Sequence, residues 1–429
     1  MNRRQRLRNI VGGSAGNFVE WFDWFVYASF ALYFSRAFFP HDNQTVQLLN
    51  SALVFGGGFL ARPVGAWLMG RYADRAGRRA ALALSVGLMC GGSLLIAVIP
   101  SGLGVASTAL LAFARIVQGL SMGGEYGASA TYLSEMASAR TRGFWSGVYF
   151  STLIAGQLTA LLLLIALQAT LGDELLYAWA WRIPFAVGAL LALVVFWIRR
   201  GIDETGSHLH ESTGAAHEST GWGLLTRYPK ETGIVIVLSA GGGMGFYTYT
   251  VYMQKFLVNT TGFSKDVASQ VVTAVLVTMM LLMPLMGWIS DRVGRKPVMM
   301  FSYGAGALLA VPVLSALSIA TDPLQAFLLC LVPVIPLSGY NALSGILKAE
   351  LFPTRVRALG VALPYAISQA LFGGNAETAA LGFKKVGHEA GYFWLIAGIM
   401  AAGFVVATAM RDTQRHSSIT NPIYFPSGK

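Results

Sequence analysis

Several polar and ionisable residues stand inside long apolar segments of this sequence, where charge is costly and usually functional. The first of these segments contains four of them, namely Asn17, Glu20, Asp23 and Tyr27. Intervals of three, three and four residues place all four along one stripe of a helix. Such a stripe is expected to face the inside of the protein or a water-filled path rather than lipid.

Two later apolar segments contribute Arg62 and the pair Arg115 and Glu125. An arginine can bind the carboxylate of an organic anion through two parallel hydrogen bonds. The same apolar segments contain three acids, Glu20, Asp23 and Glu125. One acid can therefore be protonated while each of the two arginines still has a negative counter-charge. The pattern predicts a site that couples an anion to a proton. The alternative is that the acids only neutralise the arginines.

Residues with metal-binding or redox chemistry form no recognisable site. His208, His210 and His217 lie in a polar stretch without cysteine, which favours a flexible linker over a metal centre. Cys90 and Cys330 stand singly in apolar segments of opposite halves and predict no disulfide. The sequence also contains no nucleophile and base pair and no phosphate-cradling loop, so we expect no enzyme activity, cofactor or metal.

The elements that position these residues must cross a membrane. Hydrophobic residues make up 55% of the chain and charged residues only 12%, with a mean hydropathy of +0.56, which could not give a soluble surface. Apolar runs of the length that a bilayer core requires predict twelve transmembrane helices. They cover residues 10–34, 48–69, 80–99, 107–135, 143–167, 183–198, 233–257, 267–289, 297–317, 326–347, 356–381 and 391–409. The predicted fold class is an all-α membrane protein.

Two motifs occur twice at nearly the same interval. Gly70–Arg79 (GRYADRAGRR) returns 217 residues later as Gly287–Lys296 (GWISDRVGRK). The spacing Glu-x6-Arg is also duplicated, at Glu135 and Arg142 and at Glu350 and Arg357. Parallel repeats of half a chain are typical of membrane transporters. They divide the sequence into an N-terminal six-helix bundle (1–200), a cytoplasmic linker (201–229) and a C-terminal six-helix bundle (230–429).

The distribution of positive charge predicts the orientation. The net charge is +11, yet the 31 Lys and Arg residues do not form a single patch, so a nucleic-acid partner is not expected. With the amino terminus in the cytoplasm, 23 of them fall on the cytoplasmic side, as the positive-inside rule requires. Both termini are then cytoplasmic. The first apolar run has no small-residue cleavage site after it and is expected to remain as a helix.

The duplicated loop motif resembles the signature loop of the major facilitator superfamily. Four further motifs, in order along the chain, resemble the metabolite:proton symporter branch of that superfamily: Gly16–Asp23 (GNFVEWFD), Arg62–Gly65 (RPVG), Arg115–Gly119 (RIVQG) with Gly123–Glu125, and Trp181–Phe185 (WRIPF). Segments 246–260 and 344–374 resemble the alpha-ketoglutarate permease family. A histidine in the loop motif of that family is replaced here by Ala76, so no role of that histidine is carried over.

The resemblance implies a major facilitator fold, in which two six-helix bundles rock about a central site. It also implies a proton-coupled symporter that imports a small organic acid, with 2-oxoglutarate or a related dicarboxylate as the leading candidate. The alternatives are citrate, shikimate, an aromatic acid or a zwitterionic osmolyte. The expected partners are this substrate, protons and the lipid bilayer, and the expected location is a bacterial inner membrane, as a monomer.

Within this fold, six residues are predicted to bind substrate: Arg62, Arg115, Gln118, Gln157, Tyr249 and Tyr252. The alternative for the two tyrosines is anchoring at the membrane surface. Glu377 and Lys348 lie nearer helix ends, where their side chains could extend to the surface.

The duplicated motifs are predicted to form a cytoplasmic gate of ion pairs and helix-end contacts that breaks when the transporter opens inward. Its expected members are Asp74, Arg78, Glu135, Arg142, Asp291, Arg295, Glu350 and Arg357. The alternative is that these charges only set the topology.

Overall fold

The computed structural model of the chain describes residues 3–76, 78–122, 138, 140–200, 224, 226–353, 356–417 and 419. Side chains are described from residue 16 onward, with further gaps at 70–71, 73–82, 195–196 and 198–200. Within these residues the structure is helical and contains no β-strand, which confirms the predicted all-α class.

The described residues of the first half form six helices. They are α1 (Arg3–Phe38), α2 (Gln44–Ala76), α3 (Arg78–Val98), α4 (Val105–Met122), α5 (Arg142–Ala178) and α6 (Ile183–Arg200), the last preceded by a short 3₁₀ turn. Most extend beyond the apolar runs, because polar and aromatic residues also support helix outside the bilayer core. The second part of the predicted helix 107–135 lies outside the described residues.

The second half contains the remaining elements. They are α7 (Pro229–Thr261), α8 (Lys265–Val293), α9 (Arg295–Ser318), α10 (Pro323–Leu351), α11 (Arg357–Ser368), α12 (Ala376–Lys385) and α13 (Glu389–Ala409). The predicted span 356–381 is therefore two helices, α11 and α12, joined through a π-helical turn at Gln369–Gly373. Two π-helical stretches, Thr248–Tyr252 and Leu257–Thr261, also widen α7.

Eight helices of the described chain are long and apolar enough to cross a membrane on their own: α2, α4, α5, α7, α8, α9, α10 and α13. The apolar parts of α3 and α6 are shorter. Most helices of each half pack against one another, and the two halves meet chiefly where α5 lies along α8 and where α2 lies along α11 and α12. The division at residues 200 and 230 stays a prediction, because most of the linker lies outside the described residues.

Glycines allow α5 and α8 to approach very closely. A Cβ atom added to Gly143 would clash with the carbonyl oxygen of Gly287, and one added to Gly287 would clash with that of Gly143. One turn further on, a Cβ on Gly147 would meet the carbonyl oxygen of Met283. Small residues at one face of a membrane helix serve this kind of backbone contact. Here they join the two halves of the chain.

Contacts between the halves occur at both membrane faces. We call the face where α8 ends and α9 begins the motif face, because it carries Gly287–Lys296, and the other the opposite face. At the opposite face the Asn259 amide donates to Thr45 Oγ1 at 3.1 Å, and Lys265 Nζ lies 3.6 Å from Asp173 Oδ2. At the motif face α5 contacts α8. The described molecule is therefore closed at both faces.

Candidate functional site

Two guanidinium groups share the indole ring of Trp24 in α1. The Cζ atom of Arg62, from α2, lies 4.2 Å from the ring centroid, and that of Arg115, from α4, lies 3.9 Å from it. Phe59 also packs against Arg62 at 4.0 Å, and Tyr27 against Arg115 at 4.5 Å. The aromatic faces offset part of the cost of burying these cations. The sequence predicted both arginines but not the indole that brings them together.

The two guanidiniums retain buried donors without a hydrogen-bond acceptor. Arg115 is fully buried, and its Nη1 donates to Gln118 Oε1 at 2.8 Å. Its Nε and Nη2, and the Nε of Arg62, have no acceptor among the described residues. The Nη2 of Arg62 reaches the sulfur of Met122, at 3.4 Å, and the guanidinium also donates to the hydroxyl of Tyr247. Buried charged donors are costly to leave unpaired, so this arrangement suits an anionic ligand.

Gln118 connects Arg115 to Asp23. Its amide oxygen accepts from the guanidinium, while its Nε2 donates to Asp23 Oδ2 at 2.7 Å and to Ser93 Oγ at 2.8 Å. The hydroxyl of Ser93 donates to the other oxygen of Asp23. The buried carboxylate is thus held by an amide and a hydroxyl rather than by a direct ion pair. The predicted residues Asp23, Gln118 and Arg115 are brought together, and Ser93 joins them from α3.

Glu20 is buried on the same stripe of α1 as Asn17, whose amide donates to the hydroxyl of Tyr149 at 3.2 Å. That contact fixes the stripe against α5, inside the first half of the chain. Glu125 lies outside the described residues. Its predicted part in proton handling stays a prediction, as does that of Glu20.

A cavity of about 20 Å³ lies between the two halves. Its walls include Trp21 from α1, Tyr247 from α7, Tyr340 and Ser344 from α10, and Gln369 after α11. Tyr247 packs edge-on against Phe59 and interacts electrostatically with Arg62, so the cavity borders the arginine centre. A volume of this size holds about one water molecule. An organic acid requires the two halves to separate further.

The predicted pocket residues Gln157, Tyr249 and Tyr252 do not line this cavity. Gln157 Nε2 donates to the carbonyl oxygen of Thr250 at 3.0 Å and thereby joins α5 to α7. Tyr249 and Tyr252 are buried, and Tyr252 packs against Tyr392 within the second half. Because both tyrosines are only 1% exposed, the interpretation of them as membrane-surface anchors is wrong. Their role in substrate binding stays a prediction.

At the motif face, Asp291 caps the start of a helix in the other half of the chain. Its two carboxylate oxygens accept from the backbone amides of Gly143 and Phe144 at 2.8 and 2.9 Å. These amides belong to the first turn of α5, where N–H groups lack helical partners and the helix dipole is positive. Arg295 Nη1 also donates to Asp291 at 2.8 Å.

The same cluster contains three further predicted gate residues. Glu350 lies 3.8 Å from Arg295 Nε, accepts from Thr413 at 2.7 Å and interacts electrostatically with Arg142. Arg357 Nε donates to two carbonyl oxygens at the end of α10. Five of the eight predicted gate residues therefore meet at this face. Glu135 and the side chains of Asp74 and Arg78 lie outside what the structure describes.

Two charged residues lie where the sequence did not place them. Glu377 and Lys348 do not extend to the surface, since they are only 3% and 1% exposed, and that expectation is wrong. Lys348 Nζ donates to Ser344 Oγ at 2.7 Å and lies 3.8 Å from the ring centroid of Tyr365. Glu377 forms an ion pair with Lys255.

Comparison with known proteins identifies the family. The family model of the Major Facilitator Superfamily matches residues 13–374 and again 243–423. The chain belongs to this superfamily. The alpha-ketoglutarate permease of Escherichia coli K12 is 48% identical over 406 residues, which cover 94% of this chain and 93% of that protein. The citrate-proton symporter of Salmonella typhi is 32% identical over 407 residues, with 94% and 93% covered.

A solved structure shares the fold. The proton:xylose symporter XylE superposes with a TM-score of 0.76 at 20% identity, and 96% of each chain is covered. These findings confirm the resemblance to the superfamily and the predicted major facilitator fold of twelve transmembrane helices. Family and relatives together indicate a membrane transporter rather than an enzyme.

Proposed function

We propose that this protein is a proton-coupled symporter that imports a small organic diacid, with 2-oxoglutarate as the leading candidate, by alternating access. The observation that carries the proposal is the pair of buried guanidiniums at Trp24, which retain donors without an acceptor among the described residues. One of them, Arg115, is also linked through Gln118 to Asp23. The names of two relatives, an alpha-ketoglutarate permease and a citrate-proton symporter, support an organic acid as substrate and a proton as its partner.

A substrate carboxylate would bind between the two arginines. Arg115 can offer Nε and Nη2 together, which is the two-pronged geometry that a carboxylate accepts best. Two cations on one indole also repel each other, and an anion between them removes that repulsion. A zwitterionic osmolyte would bring its own cation into this positive centre. The site therefore favours an acid over the osmolytes of the same branch.

Asp23 is the leading candidate for the coupled proton. Without substrate, its negative charge helps to balance Arg115 through Gln118. When a substrate carboxylate pairs with Arg115, Asp23 loses that favourable charge while it is fully buried, and protonation becomes favourable. Glu20 and Glu125 are the other candidates. In each case, binding of the anion promotes binding of the proton, which is the requirement for symport.

The contacts at the two faces would act as alternating gates. Opening at the motif face requires the Asp291 cap on α5 to break, together with the glycine contact of α5 and α8. Opening at the opposite face requires Asn259 to leave Thr45. We propose that the motif face is cytoplasmic, as the distribution of Lys and Arg favours. The termini are then cytoplasmic, in a bacterial inner membrane, and the transporter acts as a monomer.

Uptake into proteoliposomes tests this proposal. The purified protein is reconstituted, an inward proton gradient is imposed, and accumulation of radiolabelled 2-oxoglutarate is measured with unlabelled succinate, citrate, shikimate, protocatechuate or proline as competitor. We expect accumulation that collapses with a protonophore and that dicarboxylates inhibit more strongly than proline. Accumulation of proline instead, with no uptake of any acid, would overturn the anion site at Trp24.

A further inference from the structure

A buried ion pair joins α7 to α12 in the half of the molecule nearer the opposite face. Lys255 Nζ lies 2.6 Å from Glu377 Oε1, and the two side chains are 1% and 3% exposed. Burial of two charges carries a large desolvation cost, which their attraction offsets only with good geometry. In a membrane protein such residues usually serve transport of an ion or a substrate.

The pair lies beyond the cavity along the two segments that line it. Tyr247 and Gln369 line the cavity, and Lys255 and Glu377 each follow eight residues later. Both segments run from the motif face toward the opposite face, so the pair is about 12 Å further along at 1.5 Å per residue. Asn259, which closes the opposite face, comes four residues after Lys255. The pair therefore lies between that gate and the cavity.

The pair also faces the other half of the chain. Just before Glu377, Gly374 packs against the ring of Phe59 and Asn375 lies against Gly56, both in α2. Glu377 interacts electrostatically with a phenol from α1, Tyr27, whose ring also packs against Arg115. This surface separates when the opposite face opens. An entering anion would then meet Lys255 before it meets Arg115.

The other described groups that interact with Glu377 are neutral phenols. Tyr252 from α7 and Tyr392 from α13 interact electrostatically with it, in addition to Tyr27 from α1. Within the described part of the chain, Lys255 is the cation that acts on Glu377. A carboxylate in this position has a counter-charge only while Lys255 is available to it.

We propose that Lys255 is a transient binding position for a substrate carboxylate and that Glu377 occupies this position when substrate is absent. The entering carboxylate forms an ion pair with the ammonium group of Lys255 and displaces Glu377. The Glu377 carboxylate, which then has only neutral phenols around it, binds one proton from the solution at the opposite face. When the substrate moves on to Arg62 and Arg115, Glu377 returns to Lys255 and its proton passes inward to Asp23, which the substrate has just deprived of the counter-charge of Arg115. One carboxylate and one proton thus enter together. The inference rests on the proposed function and adds a second anion position to it.

Glu377→Gln separates this role from simple binding. The amide keeps the size and can accept from Lys255, but it cannot bind and release the proton. We expect exchange of labelled for unlabelled 2-oxoglutarate without a gradient to stay within about threefold of wild type, while gradient-driven accumulation falls about tenfold or more. Lys255→Met should raise the half-saturation concentration for uptake about tenfold, because one charged carboxylate contact is lost.

A second ion pair in the same region provides the matched control. Lys384 Nζ lies 3.6 Å from Glu389 Oε2, and these side chains are 18% and 23% exposed. Glu389→Gln should leave both exchange and accumulation close to wild type. If Glu377→Gln accumulates substrate as well as Glu389→Gln does, the inference is wrong.

Exchange of the two charges distinguishes transport from a purely structural role. The double variant Lys255→Glu with Glu377→Lys retains an ion pair. A structural pair predicts that this variant recovers both the amount of folded protein and proton-driven accumulation. We expect it to recover folded protein, measured by size-exclusion chromatography and melting temperature, but not accumulation, because the cation no longer stands on α7. Recovered accumulation by the double variant would overturn the inference. This test remains valid even if the single variant Glu377→Gln fails to fold. If wild type accumulates no organic acid, the proposed function fails instead.

Discussion

Asp291 caps the helix that begins beside Gly143, although the two residues belong to different halves of the chain. The bond is 2.8 Å long, and the neighbouring amide of Phe144 donates to the other carboxylate oxygen at 2.9 Å. A carboxylate at a helix start is held by free amides and by the helix dipole. These bonds exist only while the halves are closed at the motif face. The cap therefore contributes directly to the balance between open and closed states.

Asp291→Ala should shift the protein toward opening at the motif face. Loss of a helix cap costs about 0.5–2 kcal/mol, which corresponds to a change of roughly 2- to 30-fold in the open fraction. A reporter cysteine at Ala342 can measure this, because the Ala342 carbonyl accepts from Ser146 across the closed interface. We expect faster labelling by a membrane-impermeant maleimide added at the motif face, with Cys90 and Cys330 replaced by serine.

Asp412→Ala is the control for that experiment. Asp412 also lies at the motif face, but it accepts from the backbone amides of Arg295 and Gln414, both in the second half. Its removal should leave the labelling rate of Ala342→Cys unchanged. Equal rates for the Asp291 and Asp412 variants would show that the cap does not hold the halves together.

Arg115→Lys should abolish most uptake although it preserves the charge. Lysine cannot offer two parallel donors to a carboxylate, and it does not stack on Trp24 as a guanidinium does. Loss of a buried charged hydrogen bond and of the stacking contact predicts a fall of about 100-fold in uptake at low substrate concentration. Arg182→Lys is the matched control, because Arg182 packs on Trp181 at 4.1 Å and donates to the carbonyl of Ile99. Similar losses in both variants would point to damage to the fold instead.

Trp24→Leu tests whether the shared indole holds the two arginines in place. Each cation–π contact is worth about 0.5–2 kcal/mol, so loss of both should raise the half-saturation concentration by at least about fivefold. Trp24→Phe keeps an aromatic face and should retain more affinity. Trp394 in α13 is 67% exposed, and Trp394→Leu should have no effect. An unchanged half-saturation concentration in Trp24→Leu would contradict a role for the indole in binding.

Gly143→Ala should prevent full closure of the motif face. The added methyl would meet the backbone of Gly287, which cannot move aside as a flexible side chain could. We expect uptake to fall about tenfold or more, with normal protein levels, because a clash of one methyl group typically costs about 1–3 kcal/mol. Gly91→Ala in α3 is the control, since a Cβ there has open space around it. Wild-type uptake by Gly143→Ala would mean that the cycle tolerates a looser contact.

Much of the fold could be predicted from local patterns. Apolar runs set the spans, and the duplicated loop motif identified two related halves. Arg62 and Arg115 stood out because charge inside an apolar run is rare. Local patterns could not identify which residue contacts each charged side chain. The Trp24 ring contacts both arginines only because α1, α2 and α4 cross at that depth.

The ion pair of Lys255 and Glu377 shows the same limit more clearly. Each residue lies near the end of its apolar window, where a long side chain can often reach water. The two are 122 residues apart, and their contact depends on how α7 and α12 pack. The signal available in the sequence was weak, namely an acid and a lysine in corresponding late positions of two segments of the second half. Because the sequence does not give the angle between α7 and α12, this signal could not be distinguished from two separate charges at the surface.

Asp23→Asn should uncouple transport from the proton. The amide oxygen can still accept from Gln118 Nε2, and the amide nitrogen can donate to the hydroxyl of Ser93, so the contacts that hold Gln118 against Arg115 are largely kept. It cannot bind a proton, however, and we expect gradient-driven accumulation to fall about tenfold or more while exchange without a gradient stays within about threefold. Asp42→Asn, at an exposed side chain between α1 and α2, should behave as wild type. If Asp23→Asn still accumulates substrate against a gradient, the coupled proton is carried by another acid, and Glu377 and Glu20 are the next residues to replace.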